Sequence, residues 1–363
     1  MKTAHRIAII GCGMMGREHM RNIALVPDAQ LFAIADPDAG SRQEAAALAA
    51  SLGQDVRLFE EARALMEEAR PDAVIIASPN HTHFDVLSEV MQHEVPVLIE
   101  KPLCTTVDDA REIARRVASY PALFWVGLEY RYMPPVTRFV ERVHRGETGK
   151  VRMLYIREHR FPFLPKVGDW NRFNRNTGGT LVEKCCHFFD LMRRTLQDEP
   201  VRIFASGGQD VNHLDERYDG EVPDILDNAF VTVDFAGGAR AVLDLCMFAE
   251  GAEQQEEIYA LGAEGRLDVA IPAAEVTWSP RDRSGPFVER VETPSEALAA
   301  GDHHGATYFQ LRHFLEALDS GGKPALSALD GLRSVQMGAA AQQSIASGRP
   351  VSLDFTDNGE DLA

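Results

Sequence analysis

The sequence predicts an α/β domain on a parallel sheet (residues 1–127), followed by an α+β domain with a large, mostly antiparallel open sheet (128–363). Three observations carry this. The 363 residues suit two domains of roughly 100–200 residues each. The first third alternates short, wholly apolar runs with helical patterns. Beyond Gly127 the strand-like segments alternate apolar with polar residues and follow one another through turns.

The apolar runs of the first domain are 7–10, 31–35, 73–77, 97–99 and 123–126, separated by helical stretches near 17–25, 41–52, 60–68, 84–92 and 107–117. Strands buried on both faces read as continuous apolar runs, and helical crossovers make their sheet parallel. Thr106 with Asp109 marks a helix start in the manner of a capping box. In the second domain a helix at 135–145 precedes strands at 151–159, 201–206, 229–235, 240–247 and 257–261. Gly237-Gly238 joins two of these as a tight hairpin. Helices at 308–318 and 329–347 close the chain before a polar tail.

Apolar residues make up 45% and charged residues 25%, the composition of a soluble globular protein. The net charge of −18 repels phosphate backbones and anionic lipid, so neither nucleic acid nor membrane is the expected partner. Five cysteines (Cys12, Cys104, Cys185, Cys186 and Cys246) include no Cys-x-x-Cys pair. This suits a reducing compartment and predicts neither a disulfide framework nor a metal site. Lys2 and Arg6 precede an apolar run too short for a signal peptide, and no run approaches about 20 residues. A cytoplasmic location is expected.

Gly11-Cys12-Gly13-Met14-Met15-Gly16 follows the first apolar run and opens a helical pattern. G-x-G-x-x-G in that context is the Rossmann dinucleotide fingerprint. The first glycine permits the turn, the second lets backbone approach a pyrophosphate, and the third packs helix on sheet. Asp36, 20 residues beyond Gly16, ends the second run. A carboxylate there suits a ribose 2′-hydroxyl and repels a 2′-phosphate, which favours NAD over NADP, although Arg42 lies nearby. Ser78, Asn80 and His83 follow one strand and Glu100-Lys101-Pro102 another, at the edge where ligands collect.

Lys101 is either a loop lysine paired with Glu100 or a proton donor and acceptor. Glu183 and His187 stand four residues apart in a helical stretch, where a carboxylate can touch an imidazole and raise its basicity, unless that face is simply solvated. The segment before this helix gathers Arg157, Arg160, Lys166, Arg172 and Arg175 with His159 and Trp170. Arginine forks suit carboxylate, phosphate or sulfonate oxygens. With Arg131, these arginines, His159 and Trp170 are the substrate candidates, unless the cations merely pair with surface acids and Trp170 fills core.

In this order, the glycine motif, Ser78-Pro79-Asn80 with His83, Glu100-Lys101-Pro102, Trp170, the helix at 178–190 and the closing segments from Asp330-Gly331-Leu332 to Gly348-Arg349-Pro350-Val351 resemble the Gfo/Idh/MocA oxidoreductases. The resemblance implies that Lys101 sits at the nicotinamide and the reacting hydroxyl, that His187 is the acid/base, and that the sheet's open face joins subunits into a dimer or tetramer. It departs at one point: Glu183-Lys184-Cys185-Cys186-His187 stands where the family has Asp-x-Gly-x-His. Three functions follow from it. One is an NAD-dependent dehydrogenase of a sugar, inositol or other polyol, with Lys101, His187 and Glu183 catalytic. Another is a redox glycosidase of an anionic glycoside such as a sulfoquinovoside. The third is a dinucleotide sensor without turnover.

Overall fold

A computed structural model describes residues 4–301 and 303–355; Lys2 and the polar tail from residue 356 lie outside the described residues. The first sheet holds β1 (His5–Ile10), β2 (Ala29–Ala35), β3 (Arg57–Phe59), β4 (Ala73–Ile76), β5 (Val97–Glu100) and β6 (Phe124–Gly127). They are parallel in the order β3-β2-β1-β4-β5-β6. Helices α1 (Met14–Leu25), α2 (Ala39–Ser51), α3 (Ala62–Ala69), α4 (His83–Val90) and α5 (Val107–Val117) make the crossovers. β4, β5 and β6 are buried along their whole length, which is why they read as unbroken apolar runs. β3 has no such signal: it is three residues long and two of them are exposed. Strand order reverses between β1 and β4, so the carboxyl ends of β1, β4 and β5 open on one crevice.

α6 (Pro134–His144) leads into the second sheet of β7 (Met153–His159), β8 (Pro200–Gly208), β9 (Asn228–Phe235), β10 (Arg240–Cys246), β11 (Glu256–Leu261), β12 (Gly265–Ile271), β13 (Glu275–Pro280), β14 (Phe287–Arg290) and β15 (Val351–Ser352). Their order is β14-β13-β12-β11-β7-β10-β9-β8-β15, antiparallel except for the β7–β10 pair. β7 to β12 each alternate buried with less buried residues, the period-2 mark of a sheet covered on one face. In this sheet the four strands missing from the sequence reading are β12 to β15.

Short helices α7 (Asn174–Thr177) and α8 (Thr180–Glu183) precede α9 (Cys186–Leu196), and α10 (Ser295–Ala299), α11 (Ala306–Ser320) and α12 (Ala328–Ser347) follow the sheet. The closing helices return to the first domain. Phe314, Leu332 and Val335 join its core, Phe314 meets Trp125 edge-on at 6.1 Å, and the Val126 N–H donates to Leu326 O at 3.1 Å. The expected boundary at 127 thus marks the end of the first sheet, while later chain completes its core. Among the described residues no helix is long and apolar enough to cross a membrane.

Candidate active site

The glycine loop meets the geometric demands of the dinucleotide motif. Gly11 has φ +95°, and a Cβ there would stand 2.4 Å from Ser78 N on β4's loop. A Cβ on Gly16 would stand 2.0 Å from Gly11 O, so only glycine lets α1 approach. A Cβ on Gly13 meets nothing within 4 Å, which leaves open space over the backbone at the α1 N-terminus. Met14, 37% exposed, and half-buried Met15 begin that helix. The free N–H groups of such a terminus attract phosphate. Asp36 caps the next strand end: Oδ2 accepts from Cys12 N at 2.7 Å and Oδ1 from Asp38 N at 2.9 Å. Arg42 donates to the carbonyls of Asp36 and Pro37 and pairs with Glu60 at 2.9 Å, so its guanidinium is already engaged.

The loops after β4 and β5 are tied together. His83 is fully buried between Pro102 O (2.8 Å) and Ser78 O (3.0 Å), and burial lowers its pKa. It shapes the crevice and does not line it, a correction to its expected place among cofactor contacts. Ser78 accepts from the Thr82 hydroxyl at 2.8 Å, and buried Asn80 keeps an unpartnered Nδ2. Glu100 is buried and held by His19 at 2.7 Å, so it is not the ion-pair partner of Lys101. Lys101 instead crosses to the second domain and donates to Glu183 O at 3.0 Å.

Glu183 and His187 do not share one continuous helix. α8 ends at Glu183, Lys184 and Cys185 form a turn, and α9 begins at Cys186. The expected Glu183–His187 contact is absent as a hydrogen bond: Glu183 Oε2 and His187 Nδ1 are both buried without partners. The whole segment is buried, so no solvated face exists either. Burial raises the Glu183 carboxyl above its ordinary range, against the pull of Lys101, Lys166, Arg160 and Arg172. His187 stacks on Tyr130 at 4.0 Å and 12°. Burial, then the positive charges of Lys101, Lys184 and His303, hold its pKa well below the usual value.

Beneath this pair lies a buried polar group that sequence reasoning missed. Lys184 Nζ donates to Tyr130 Oη at 2.6 Å and sits 2.9 Å from Glu158 Oε1. Glu158 is reached because β7 alternates faces, and it points to the helical side. The same alternation corrects two substrate candidates. Arg157 and His159 point to the open face, where Arg157 pairs with Glu257 and His159 lies 3.1 Å from Asp244. Arg175 is also outside, 59% exposed and paired with Glu221 at 2.6 Å. Arg131 is spent on structure: its Nε donates to Asp190 at 2.6 Å and Asp330 stands at 3.1 Å. Arg172 is buried near Glu183 but bonded to Glu216 at 3.1 Å. Arg160 remains at the site, in the field of Glu183 and His187. Trp170 is half-buried and packs edge-on against His81 at 5.9 Å, which brings the basic segment over β4's loop.

Residues 5–128 match the family model described as "Oxidoreductase family, NAD-binding Rossmann fold", and residues 140–353 match "Oxidoreductase family, C-terminal alpha/beta domain" of the same GFO_IDH_MocA family. The uncharacterized oxidoreductase YrbE of Bacillus subtilis is 28% identical, over 96% of each chain. Myo-inositol 2-dehydrogenase of Thermotoga maritima is 27% identical, over 96% of this chain and 98% of the relative. The structure of levoglucosan dehydrogenase in complex with NADH and levoglucosan superposes with a TM-score of 0.83 at 19% identity, over 96% of this chain and 99% of that one.

Proposed function

Because this chain belongs to the Gfo/Idh/MocA oxidoreductase family, as an NAD-dependent dehydrogenase of sugar or polyol hydroxyls, we propose that Lys101 and His187 handle the hydroxyl proton of a sugar, inositol or other polyol. The observation that carries this is the Lys101–Glu183 bridge, which brings the β5 loop to within one turn of His187. The cofactor pocket fits NAD: Gly13 is open above the α1 N-terminus, and Asp36 presents a carboxylate at the end of β2. NAD, when bound, supplies the hydride acceptor. His187 is neutral at physiological pH and therefore able to take a proton. Lys101 uses one N–H on Glu183 O and has two to direct at the reacting oxygen, where they stabilise alkoxide character. Lys101→Ala and His187→Ala should leave folding and NAD affinity near normal while turnover falls by about 10² or more. Normal turnover in either variant removes that residue from the mechanism.

A second reading is favoured by Glu183. Its free, buried oxygen is a third proton-handling group, more than a simple oxidation needs. A redox glycosidase needs such a group: a transient substrate ketone acidifies the neighbouring C–H, a base removes that proton, the glycosidic alcohol leaves with a proton, water adds, and the ketone is reduced back. Aglycone release without NADH accumulation supports this reading, and NADH formed one per product supports the dehydrogenase. We also propose that the sheet's open face, with Met153, Phe204 and Phe230 43–64% exposed, joins copies of the chain.

A further inference from the structure

The cleft around Glu183 holds more positive charge than hydroxyl chemistry requires. Lys101 donates to the Glu183 carbonyl, and Lys101, Lys166 and Arg160 all act on the Glu183 carboxyl through their charge. Lys184 and Arg160 share the single carboxylate of Glu158, at 2.9 and 3.5 Å. Nearby acids do not restore the balance. Glu256 is pushed up to about 8, by burial first and then by Glu158 beside it, so it is largely uncharged at neutral pH. Glu100 is taken by His19. Four cations thus meet two carboxylates in the interior of a chain whose net charge is −18.

Lys166 is the least satisfied of these cations. It ends the loop before the 3-10 segment Val167–Arg172, where Gly168 and Asp169 both have positive φ. That kink and the Trp170–His81 contact set the loop over the crevice. The Lys166 side chain is partly buried and makes no hydrogen bond or ion pair among the described residues. Arg160 lies over the Phe161 ring at 4.4 Å, with Nε on Phe161 O at 3.2 Å and Nη1 3.5 Å from Glu158, so it shares that carboxylate with Lys184. A partly buried ammonium without a partner is costly unless a ligand supplies the counter-charge.

We propose that the substrate is an acidic sugar or polyol whose carboxylate, sulfonate or phosphate sits between Lys166 and Arg160, with Lys166 as the specificity-determining residue. This rests on the sugar or polyol reading of the site. A neutral polyol leaves the surplus charge unpaired, so the site discriminates against it by charge as well as by shape.

The test uses the full chain with NAD and four matched probes: a hexose, its uronate, its 6-phosphate and its 6-sulfonate. Binding is followed by calorimetry and turnover separately. At least one anionic probe should bind ten-fold or more tighter than the hexose, and the preferred probe identifies the group. Lys166→Met should remove that advantage, Lys166→Arg should retain it, and binding of the hexose should not change. Burial, with repulsion from Lys101 and Arg160, brings Lys166 down to about 8, so affinity for the anion should fall as pH rises through that value in wild type and not in Lys166→Arg. Equal affinity for neutral and anionic probes, or an anion preference that survives Lys166→Met, overturns the inference. Lys166-dependent anion binding without turnover of any probe upholds it and counts against these sugars as reactants. Turnover of the hexose alone does the reverse.

Discussion

His187 Nδ1 is buried without a partner, and its ring lies on Tyr130 beside two lysines. An imidazole in that field stays neutral until it takes a proton from a reacting group, which is the state a base needs. Asp36 acts differently, through its place at a strand end. Its carboxylate already orders the glycine loop through Cys12 N, and we propose that it also receives the ribose. Asp36→Ala should weaken NAD binding and narrow the preference over NADP. Titration of both nucleotides checks this, and tighter wild-type binding of NADP than NAD contradicts it. Arg42 does not create an NADP site while Glu60 and two carbonyls hold it.

At the scale of elements, the proposed catalytic segment is set by Gly178-Gly179. Both have positive φ, and a Cβ on Gly179 would lie 1.6 Å from Gln342 Oε1, whose amide donates to Gly178 O at 2.7 Å. The pair turns the chain so that α8 packs on α12 and the Glu183 carbonyl meets Lys101. Gly179→Ala should therefore cost about 2 kcal/mol or more, from backbone strain plus displaced Gln342. It should also lower turnover. Denaturant unfolding measures the first effect, and an unchanged midpoint would show that α8 can shift without cost. The sequence places a helix at 178–190. The break at Lys184-Cys185 is not visible there, because helical spacing cannot show where burial of every side chain forces a turn.

On the scale of the molecule, α1, the segment after β6, the stretch before α11 and the first turn of α11 meet at Glu18, Glu129, His303 and Thr307. His303 lies 3.0 Å from Glu18 and 3.5 Å from Glu129. Those carboxylates raise His303 to about 9, outweighing burial. A raised histidine contributes stability fully present below its ordinary value near 6.5 and lost as pH rises through about 9. Glu129, raised to about 7 by burial and by Glu100 and Glu18, also loses stability with rising pH, but at lower pH, between its ordinary value near 4.5 and about 7. Thermal stability should therefore decline as pH rises from about 6.5 through about 9. His303→Gln should be less stable at pH 7 and decline less steeply. Parallel curves for the two proteins would exclude this junction as the source.

The sequence by itself determined the first domain, the cofactor class, and Lys101 and His187 as the residues of interest. Those features are local: a buried parallel strand needs an unbroken apolar run, and the turn beneath a pyrophosphate needs glycine at Gly11 and Gly16. Only the tertiary structure decided which basic residues enter the cleft. The face of β7 sends Arg157 and His159 outward and Glu158 inward, and that face is chosen by the helices packed on the sheet. Arg131, Arg172 and Arg175 are drawn off by acids 44–199 residues away in the chain, namely Asp190, Asp330, Glu216 and Glu221. Lys166 carries no local mark of its role. Among the described residues its side chain makes no hydrogen bond or ion pair, unlike those of the arginines around it, and partners are assigned by the fold.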